Sequence, residues 1–590
     1  MAINSVSTAQ EFIRDIAGIT SDSSGRQAHA FSRRENEAFE WAEIEAVRHL
    51  KDAGLVSNRD YRIDKDAIGN LLVTVYGADR SKTVMSGSHL DSVRNGGKHD
   101  GVDGVASAIA YLESFAKSHK KGSNYTFVVF RAEESSPMTG EACLGSKVMT
   151  GMIPENRLQS VTYGLEQQNR VLLKEVFGPE TWDRILTERE EPWVRQGTLY
   201  LPSRHDLNGR GGSHDMEVLG YNELHIEQSN VLYKKGFHAG IASHIGGSTN
   251  RRFQLDSSHL PAVKKETFNS PRRIWNLTFI GKEAHTGGMP HNATENRSDA
   301  EWHRQDALIG TCAFLRELLL RTRCDLDVSS MSIPKETGFT TVPAIQHVTL
   351  HAPAENAEEV FVSIQSIARK ICDEKELSFN VTQSVESSVP LPSLDHSHLL
   401  RHIGIPLIVE KQARLAAWKV HSIFGGEVRA TATDARMDEC GLRMNLNTRD
   451  VNPQKRDEML RAIEDEIRKS GIDADTLFSA KAAVTEHVPL DADMIRVAEE
   501  EAWALSQRTL TMPLQPGHDA GCMQKAGVAT GMVIENHPGP SHIATEIVGD
   551  DEQADAITLQ HSILDRYTGI GPKPSGKTRM LRQSHLRKDA

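Results

Sequence analysis

The sequence feature that most constrains the fold is a pair of short apolar runs that each end in polar side chains. The first run, TVMSGSH (83–89), ends at His89, and the second, NYTFVVFRAEES (124–135), ends at Glu133 and Glu134. Short runs that are apolar and partly β-branched are typical of buried strands. In open α/β sheets, ligands bind in the crevice outside the carboxyl ends of such strands. The runs therefore predict buried strands that deliver these side chains to a crevice.

Amphipathic helical patterns alternate with these runs, at residues 33–54 and 104–118. A doubly wound sheet requires this alternation of buried strands and covering helices. At 590 residues the chain is too long for a single hydrophobic core. We therefore predict an α/β protein with at least two domains.

The loop SGSHLDSVRNGGKHDG, which follows the first run, carries three candidate functional residues: His89, Asp91 and Asp100. A histidine that binds a metal through one ring nitrogen usually gives the other to a carboxylate, and an H-x-D pair can supply that carboxylate. Asp100, across a Gly-rich turn, could bridge two cations. An H-x-D pair in a loop is more often a local hydrogen bond than a metal site, so both interpretations stay open.

The adjacent carboxylates of Glu133 and Glu134 indicate similar chemistry at the second strand end. Two carboxylates in such a place are costly without a cation. One can bind a metal while its neighbour, facing a metal-bound water, serves as general base. A solvated acidic turn is the alternative.

Histidines recur in three later segments: His225 in NELHIEQ, His285 in GKEAHTGGMP and His542 in GPSHIATE. Each alone is more often structural than functional. Together with the first loop they follow a known order of motifs, which are GSHxDSVxxGGxxDG at 87–101, ELHIEQ at 223–228, GHDA at 517–520 and SHxxxE at 541–546. By these motifs the chain resembles the dinuclear-zinc aminoacylase and carboxypeptidase-G superfamily. Within it, the chain resembles the branch of N-carbamoyl-amino-acid amidohydrolases, β-ureidopropionases and allantoate amidohydrolases.

The resemblance implies two divalent metal ions in each subunit. His89 and His225 would bind one ion, Glu134 and His542 would bind the other, and Asp100 would bridge them. Zinc is the first expectation, and manganese, cobalt or nickel also suit histidine and carboxylate ligands.

The resemblance also implies a reaction, in which a metal-bridging hydroxide attacks a linear C–N bond of a ureido or N-carbamoyl acid. Glu133 would be the general base, Asp91 would support His89, and His285 would stabilise the oxyanion from a lid. In the family this lid histidine reaches the neighbouring subunit, so a homodimer is expected. Peptidase branches have a carboxylate at the position of His225, which counts against the alternative function, an N-acyl-amino-acid deacylase or small metallo-exopeptidase.

Candidate substrate-binding residues depart in part from the family pattern. Arg449 matches an arginine that binds the substrate carboxylate, but Arg436 stands where the family has asparagine. An ordinary surface arginine is the alternative for Arg449. The lid segment HTGGMPHNATENRSDA has three additional residues before Arg297. The other candidates are Gln228 and His518, although His518, with Asp519, could instead cap a helix.

We predict a discontinuous, doubly wound catalytic domain made of residues 1–245 and 490–590, with residues 246–489 inserted as an α+β lid or dimerisation domain. VESSVPL (385–391) recurs as VTEHVPL (484–490), and each follows an amphipathic helical segment. This repetition predicts a second lid-like unit, with chance similarity as the alternative. No role is assigned to the additional polar stretch 155–215.

Composition excludes several classes of partner. A net charge of −12, without basic stripes interleaved with aromatic residues, argues against nucleic acid. No run approaches the roughly 18 apolar residues of a membrane span, and the N-terminus lacks the order of a signal peptide. The six cysteines have no C-x-x-C spacing, which suits reduced thiols and a cytoplasmic protein. The basic tail 571–590 is expected to be a solvated end.

Overall fold

The computed structural model describes most of the chain outside the lid segment that contains Arg297 and the basic tail. The described ranges are 2–164, 170–202, 214–228, 231–256, 264–266, 271–282, 284–285, 305–322, 326–332, 341–342, 344–387, 391–393, 399–400, 403–410, 429–438, 441–450, 453–469, 483–514, 516–539 and 541–570.

A mixed sheet, here called the central sheet, contains eleven of the described strands. Its main path is, in spatial order, Val488–Pro489, Ala239–Ile245, Thr530–Glu535, His214–Ile226, Asp79–His89, Ser123–Phe130, Leu71–Val75 and Tyr61–Lys65. Off this path, Thr198–Leu201 pairs with His214–Ile226, Val194–Arg195 pairs with Thr198–Leu201, and Thr509–Leu514 pairs with Ala239–Ile245.

Four strands at the middle of this sheet are parallel, and they are Thr530–Glu535, His214–Ile226, Asp79–His89 and Ser123–Phe130. Every residue of Ser123–Phe130 and of Thr530–Glu535 is buried. Burial on both faces is why such strands are nearly continuous apolar runs. Since the strands are parallel, their carboxyl ends lie at one edge of the sheet, where the predicted site residues follow.

Helices cover both faces of the central sheet. On one face the apolar core contains side chains from Ala2–Thr20, Arg33–Asp52, Val102–Ala116, Ala492–Ala504 and Asp550–Thr568. On the other face it contains side chains from Leu144–Met149, Val231–Lys235 and Asp519–Lys525. This arrangement confirms the predicted α/β architecture.

The helix Arg33–Asp52 illustrates how the sequence determines these elements. The Ser32 hydroxyl oxygen accepts the backbone N–H of Glu35 at the N-terminus of the helix. Ala38, Ala42 and Ala46 recur every four residues and are all buried. Such a stripe packs one helix face against the core.

The described part of the additional stretch forms a small cluster behind the predicted carboxylates. Its elements are the helices Glu155–Gln159, Leu173–Phe177 and Pro179–Glu190 and the paired strands Thr162–Tyr163 and Val171–Leu172. Trp182 and Ile185 share an apolar core with Ala132 and Leu144, which flank the loop after Ser123–Phe130. The stretch therefore supports that loop.

A second sheet contains eight of the described strands, all paired antiparallel. In spatial order they are Ser378–Ser387, Arg272–Ile280, Ile345–Pro353, Asp327–Ser332, Arg429–Asp438, Gly441–Asp450, Gly247–Asp256 and Ala483–Thr485. The helices Ala307–Arg321, Ala357–Lys375 and Pro453–Lys469 and the helical residues 403–410 contribute side chains to its core.

The remaining described elements are short. They are the helices Ser136–Thr139 and Ala354–Asn356 and the strand pairs Ser21–Asp22 with Gly25–Arg26, Lys264–Glu266 with Leu391–Ser393, and Ala284–His285 with Thr341–Val342. None of the described helices has the length and apolar character needed to cross a membrane. Cys143, Cys312, Cys372 and Cys522 are buried free thiols.

Candidate metal centre and active site

The five side chains predicted to bind metal lie together at the carboxyl edge of the central sheet. They form two groups that share Asp100, one with His89 and His225 and the other with Glu134 and His542. Within each group the candidate ligand atoms lie within 4.8 Å of one another. A carboxylate shared by two such groups has the arrangement of a bridging ligand.

The two oxygens of Asp100 face different histidines. His225 Nε2 lies 3.2 Å from Asp100 Oδ1, and His542 Nε2 lies 3.4 Å from Oδ2. His542 Nε2 is also 2.6 Å from Glu134 Oε1, and His89 Nε2 is 3.7 Å from Asp100 Oδ1. Each oxygen is thus directed toward one ligand group.

Strand register brings these residues together. His89 is the last residue of its strand and pairs with Phe130, three residues before Glu133. His225 lies near the carboxyl end of the neighbouring strand, His214–Ile226, which is parallel to Asp79–His89. Gly101 has a φ of +73°, and a Cβ there would lie 2.4 Å from Cε1 of His89, so glycine is needed beside this ring.

The donor set fits divalent cations. His89 Nε2 is buried and has no hydrogen-bond partner among the described residues. Burial works against a charged His542, yet the carboxylates of Glu134 and Asp100 raise its pKa to about 10. A divalent cation would compensate the buried charge of these carboxylates, because buried charges need partners.

Glu133 lies beside the two groups but belongs to neither of them. Its Oε2 is 3.9 Å from His89 Nε2, and its Oε1 accepts the Cys143 thiol at 3.4 Å. Burial raises the pKa of Glu133 well above its usual value, and the neighbouring charge of Glu134 adds to the rise. A carboxyl group with a raised pKa can both accept and return a proton.

Asp91 connects the two strand ends that carry the site. Its Oδ1 accepts the backbone N–H of Glu133 at 3.0 Å, and its Oδ2 accepts that of Glu134 at 2.9 Å. His89 Nδ1 hydrogen-bonds the backbone carbonyl of Asp91 at 3.1 Å and lies 3.4 Å from the same Oδ1. Asp91 therefore orients His89 through its backbone carbonyl and nearby carboxylate, and its carboxylate also holds the backbone of Glu133 and Glu134.

Replacing Asp91 with asparagine is expected to lower metal affinity or kcat by about 10–100-fold, the usual effect of changing a group that supports a metal ligand. The amide nitrogen would face one of the two backbone N–H groups, so that hydrogen bond would be lost. Metal titration and steady-state kinetics would measure the effect. An Asp91→Asn variant with wild-type metal affinity and kcat would remove this role.

Two further residues hold the loop that carries Asp100. Glu546 Oε1 accepts the backbone N–H groups of His99 and Asp100 at 2.9 and 3.0 Å. The buried Arg26 guanidinium donates to the carbonyl of Asp100 at 3.1 Å and to that of Leu90 at 2.6 Å. Gly97 makes room for this contact, since a Cβ there would lie 2.3 Å from Glu546.

Glu546→Ala is expected to weaken metal binding by about 10–100-fold, because it frees the backbone that positions Asp100. Glu546→Gln is the matched control, since its amide oxygen can still accept both N–H groups, and its loss should be much smaller. Metal content after dialysis against graded chelator would compare them. Equal losses in the two variants would show that the negative charge, rather than the paired hydrogen bonds, matters.

The structure brings two of the four predicted substrate-binding residues to the candidate metal centre. Gln228 Nε2 donates to Asp100 Oδ2 at 3.2 Å, and the His518 ring centroid lies 4.5 Å from that of His225. His518 occupies the N-terminal position of the helix Asp519–Lys525 but makes no side-chain capping hydrogen bond. Asp519 instead accepts the Ser146 hydroxyl at 2.5 Å.

The lid residues are placed only in part. His285 lies in the strand Ala284–His285 and Arg449 in the strand Gly441–Asp450, where only their backbones are described. Arg297 lies outside the described residues.

Sequence reasoning missed Arg26 and Cys143. Neither belongs to a recognisable motif. Arg26 reaches the site from a segment distant in the chain, and Cys143 reaches it from the far end of the loop after Glu133. A lone arginine in SSGRQAH gives no signal of its burial.

The chain belongs to the peptidase family M20/M25/M40, whose family model matches residues 85–566. It is 25% identical over 314 residues to the N-carbamoyl-L-amino-acid amidohydrolase of Pseudomonas sp. (strain NS671), covering 52% of this chain and 58% of that protein. It is 27% identical over 219 residues to allantoate deiminase 1 of Glycine max, covering 36% of this chain and 39% of that protein. These matches confirm the predicted family resemblance.

The matched regions span less than two thirds of these relatives' own lengths. Among solved structures, the chain is similar to an amidase of the hydantoinase/carbamoylase family from Burkholderia multivorans. That similarity has 16% identity and a TM-score of 0.43, and covers 97% of this chain and 98% of that one.

Proposed function

We propose that this protein is a metal-dependent amidohydrolase that cleaves a linear C–N bond of a ureido or N-carbamoyl acid. The observation that carries the proposal is the pair of ligand groups sharing Asp100, with Glu133 beside them and outside both. Two-metal sites with an adjacent base are suited to hydrolysis. Relatives named for N-carbamoyl amino acids and allantoate support the substrate class.

The residues present fit two divalent metal ions. His89 and His225 would hold one, Glu134 and His542 the other, and Asp100 both. When bound, such ions polarise a substrate carbonyl and lower the pKa of a coordinated water. Gln228 would keep Asp100 oriented through its amide N–H.

Glu133 would carry the proton transfers. It takes a proton from the attacking water and later gives it to the leaving nitrogen, so that one carboxyl group acts first as base and then as acid. Its hydrogen bond from Cys143 and its place on the backbone anchored by Asp91 hold it in position. His285 would donate a hydrogen bond to the oxygen that gains negative charge.

We assign substrate selection to the residues that would bind the carboxylate of the substrate. A guanidinium binds a carboxylate through two parallel hydrogen bonds, so Arg449 would hold the acid group of the substrate, and Arg297 could contribute. Hydrolysis of the carbamoyl group would release an amine and a carbamate, and the carbamate would give ammonia and carbon dioxide.

A panel of substrates tests this function. The metal-loaded protein should release ammonia from at least one of N-carbamoyl amino acids, allantoate and ureidopropionate. Release of an amine without ammonia from N-acyl amino acids or dipeptides would instead assign the deacylase or exopeptidase function.

We also propose the domain division into residues 1–245 with 490–590 and a lid of residues 246–489. In support, the described strands of the second sheet all lie between Gly247 and Thr485. Within this lid we propose two related units. The inner unit is residues 272–387, and the outer unit comprises residues 247–256 and 429–485.

Strand order supports this division of the lid. Each unit contributes four strands to the second sheet, numbered here in chain order. In both units, strand 1 lies between strands 3 and 4 in the sheet, and strand 2 lies beside strand 3. Each also has a helix between its third and fourth strands, Ala357–Lys375 in the inner unit and Pro453–Lys469 in the outer. The family resemblance implies a homodimer for His285, and the outer unit offers an intrachain alternative.

A further inference from the structure

We propose that the inner and outer units form one asymmetric lid over the active site of their own chain, with His285 supplied by the inner unit and Arg449 by the outer unit. The inference rests on the proposed function and extends it. Its consequence is that one chain contains every group of the site, so that a second copy is not needed for turnover.

The second sheet has the strand order of two facing copies. With the strands of each unit numbered in chain order, the sheet begins with strands 4, 1, 3 and 2 of the inner unit. It continues with strands 2, 3, 1 and 4 of the outer unit, so the second half mirrors the first. The units join where Asp327–Ser332 pairs with Arg429–Asp438, at Met331 and Met437. This internal relation is the kind that two identical subunits form about a two-fold axis.

The junction covers a surface that would otherwise invite a partner. By itself the inner unit would expose Asp327–Ser332 as an edge strand, and unpaired edges tend to recruit another chain. In this chain the outer unit occupies that edge. One apolar core joins the units, since Trp275 and Ile364 of the inner unit belong to the same cluster as Leu446 and Ile463 of the outer.

The two units share a strand order but not their functional residues. Arg449 is the next-to-last residue of the outer unit's third strand, whereas the inner unit's third strand, Ile345–Pro353, contains no arginine. GKEAHTGG, with His285, follows the inner unit's first strand, whereas SSHLPAV follows that of the outer unit. Each unit thus has one of the two groups that a complete lid requires.

Backbone pairing relates both positions to Arg429–Asp438, the outer unit's strand at the junction. His285 pairs with Thr341, and the strand Thr341–Val342 lies against Arg429–Asp438. In that strand Arg429 is the register partner of Arg449. The strand Arg429–Asp438 therefore adjoins both the strand that pairs with His285 and the strand that contains Arg449, all within one chain.

The outer unit is attached close to the metal centre of the same chain. Gly246 alone separates the central-sheet strand Ala239–Ile245 from Gly247–Asp256, and its N–H donates to Leu514 at 2.6 Å. Four residues after Leu514 stands His518, whose ring contacts that of His225. Arg449 pairs with Ser248, two residues beyond Gly246. This short path connects the Arg449 position to the site of the same chain.

Co-expression of two inactive variants tests the inference. One cell would produce two differently tagged chains, one with Glu133→Gln and the other with His285→Ala. One sample would be purified through both tags in succession, and a second would contain the total pool of chains. We expect activity no higher than that of the separate variants, because each chain lacks a group of its own site. Recovery of about one quarter of wild-type turnover in the total pool would overturn the inference, since random pairing in a two-fold dimer gives about half mixed dimers with one complete site.

Two controls make the result specific. His259→Ala, in the segment that follows the outer unit's first strand, should leave turnover unchanged. If the wild-type protein hydrolyses no ureido or acyl substrate, the proposed function fails, and the lid arrangement is then tested by mass. Light scattering that gives the 65.3 kDa of one chain would support a self-contained lid. A dimer that persists on dilution would count against it.

Discussion

Replacing Glu133 with glutamine is expected to lower kcat by about 10²–10⁴-fold, the range that a general acid–base group contributes. The amide cannot accept the proton of the attacking water, but it keeps the volume of the carboxylate and can still accept the Cys143 thiol. Because Glu133 belongs to neither ligand group, the variant should bind its metals as the wild type does. Steady-state kinetics and elemental analysis of the same sample would measure both quantities.

Glu134→Gln is the matched control, because it changes the adjacent carboxylate in the same way. Glu134 Oε1 lies 2.6 Å from His542 Nε2, within the second ligand group. This variant should lose a metal ion together with its activity, and excess metal should restore part of the activity. Full turnover in Glu133→Gln, or loss of metal from it, would contradict the assignment of the base.

Replacing Asp100 with asparagine should have an equally large effect, because both ligand groups contain this carboxylate. An amide carries no charge and offers one good acceptor, so we expect loss of both metals and of kcat by more than about 10³-fold. The loop itself should persist, since Arg26 and Glu546 bind the backbone of residue 100 and not its side chain.

Metal binding should also be visible in stability. A ligand that binds the folded state raises the free energy of unfolding, so chelation should lower the Tm of the wild-type protein. The Tm of Asp100→Asn should not respond to chelator. A chelator effect on the variant as large as that on the wild type would mean that the metals bind without the bridge.

The sequence predicted the elements that carry the site because their signals are local. The run 83–89 lies within the strand Asp79–His89, and the helical pattern 33–54 corresponds to Arg33–Asp52. A buried parallel strand and an amphipathic helix each have a distinctive pattern within a few residues. Histidines and carboxylates at the ends of such strands could therefore be assigned to one edge.

The supporting contacts could not be predicted in the same way. Arg26 reaches Leu90 and Asp100, and Glu546 reaches His99 and Asp100, across long separations in the chain. Such contacts depend on how the loops pack, and no periodicity encodes them. Cys143 is similar, because its thiol meets Glu133 only after the loop between them has folded back.

The lid shows a third limit. The repeated VESSVPL and VTEHVPL segments placed two similar helix-and-strand patterns in succession. In the proposed division, the inner unit is instead inserted in the sequence between the first strand of the outer unit, Gly247–Asp256, and its second, Arg429–Asp438. This insertion separates the outer unit's first strand from its later strands in the sequence, so only the later parts of the two units keep a constant spacing.

The central claim is a two-metal centre, built around Asp100, that hydrolyses a ureido or N-carbamoyl acid. Its most direct test is to remove the metals, titrate zinc or manganese back, and follow ammonia release from N-carbamoyl amino acids and allantoate. We predict no release from the metal-free protein and a rise that ends at two metal equivalents per chain, with no rise for Asp100→Asn. Ammonia release that needs no metal, or that is complete at one equivalent, would contradict the account.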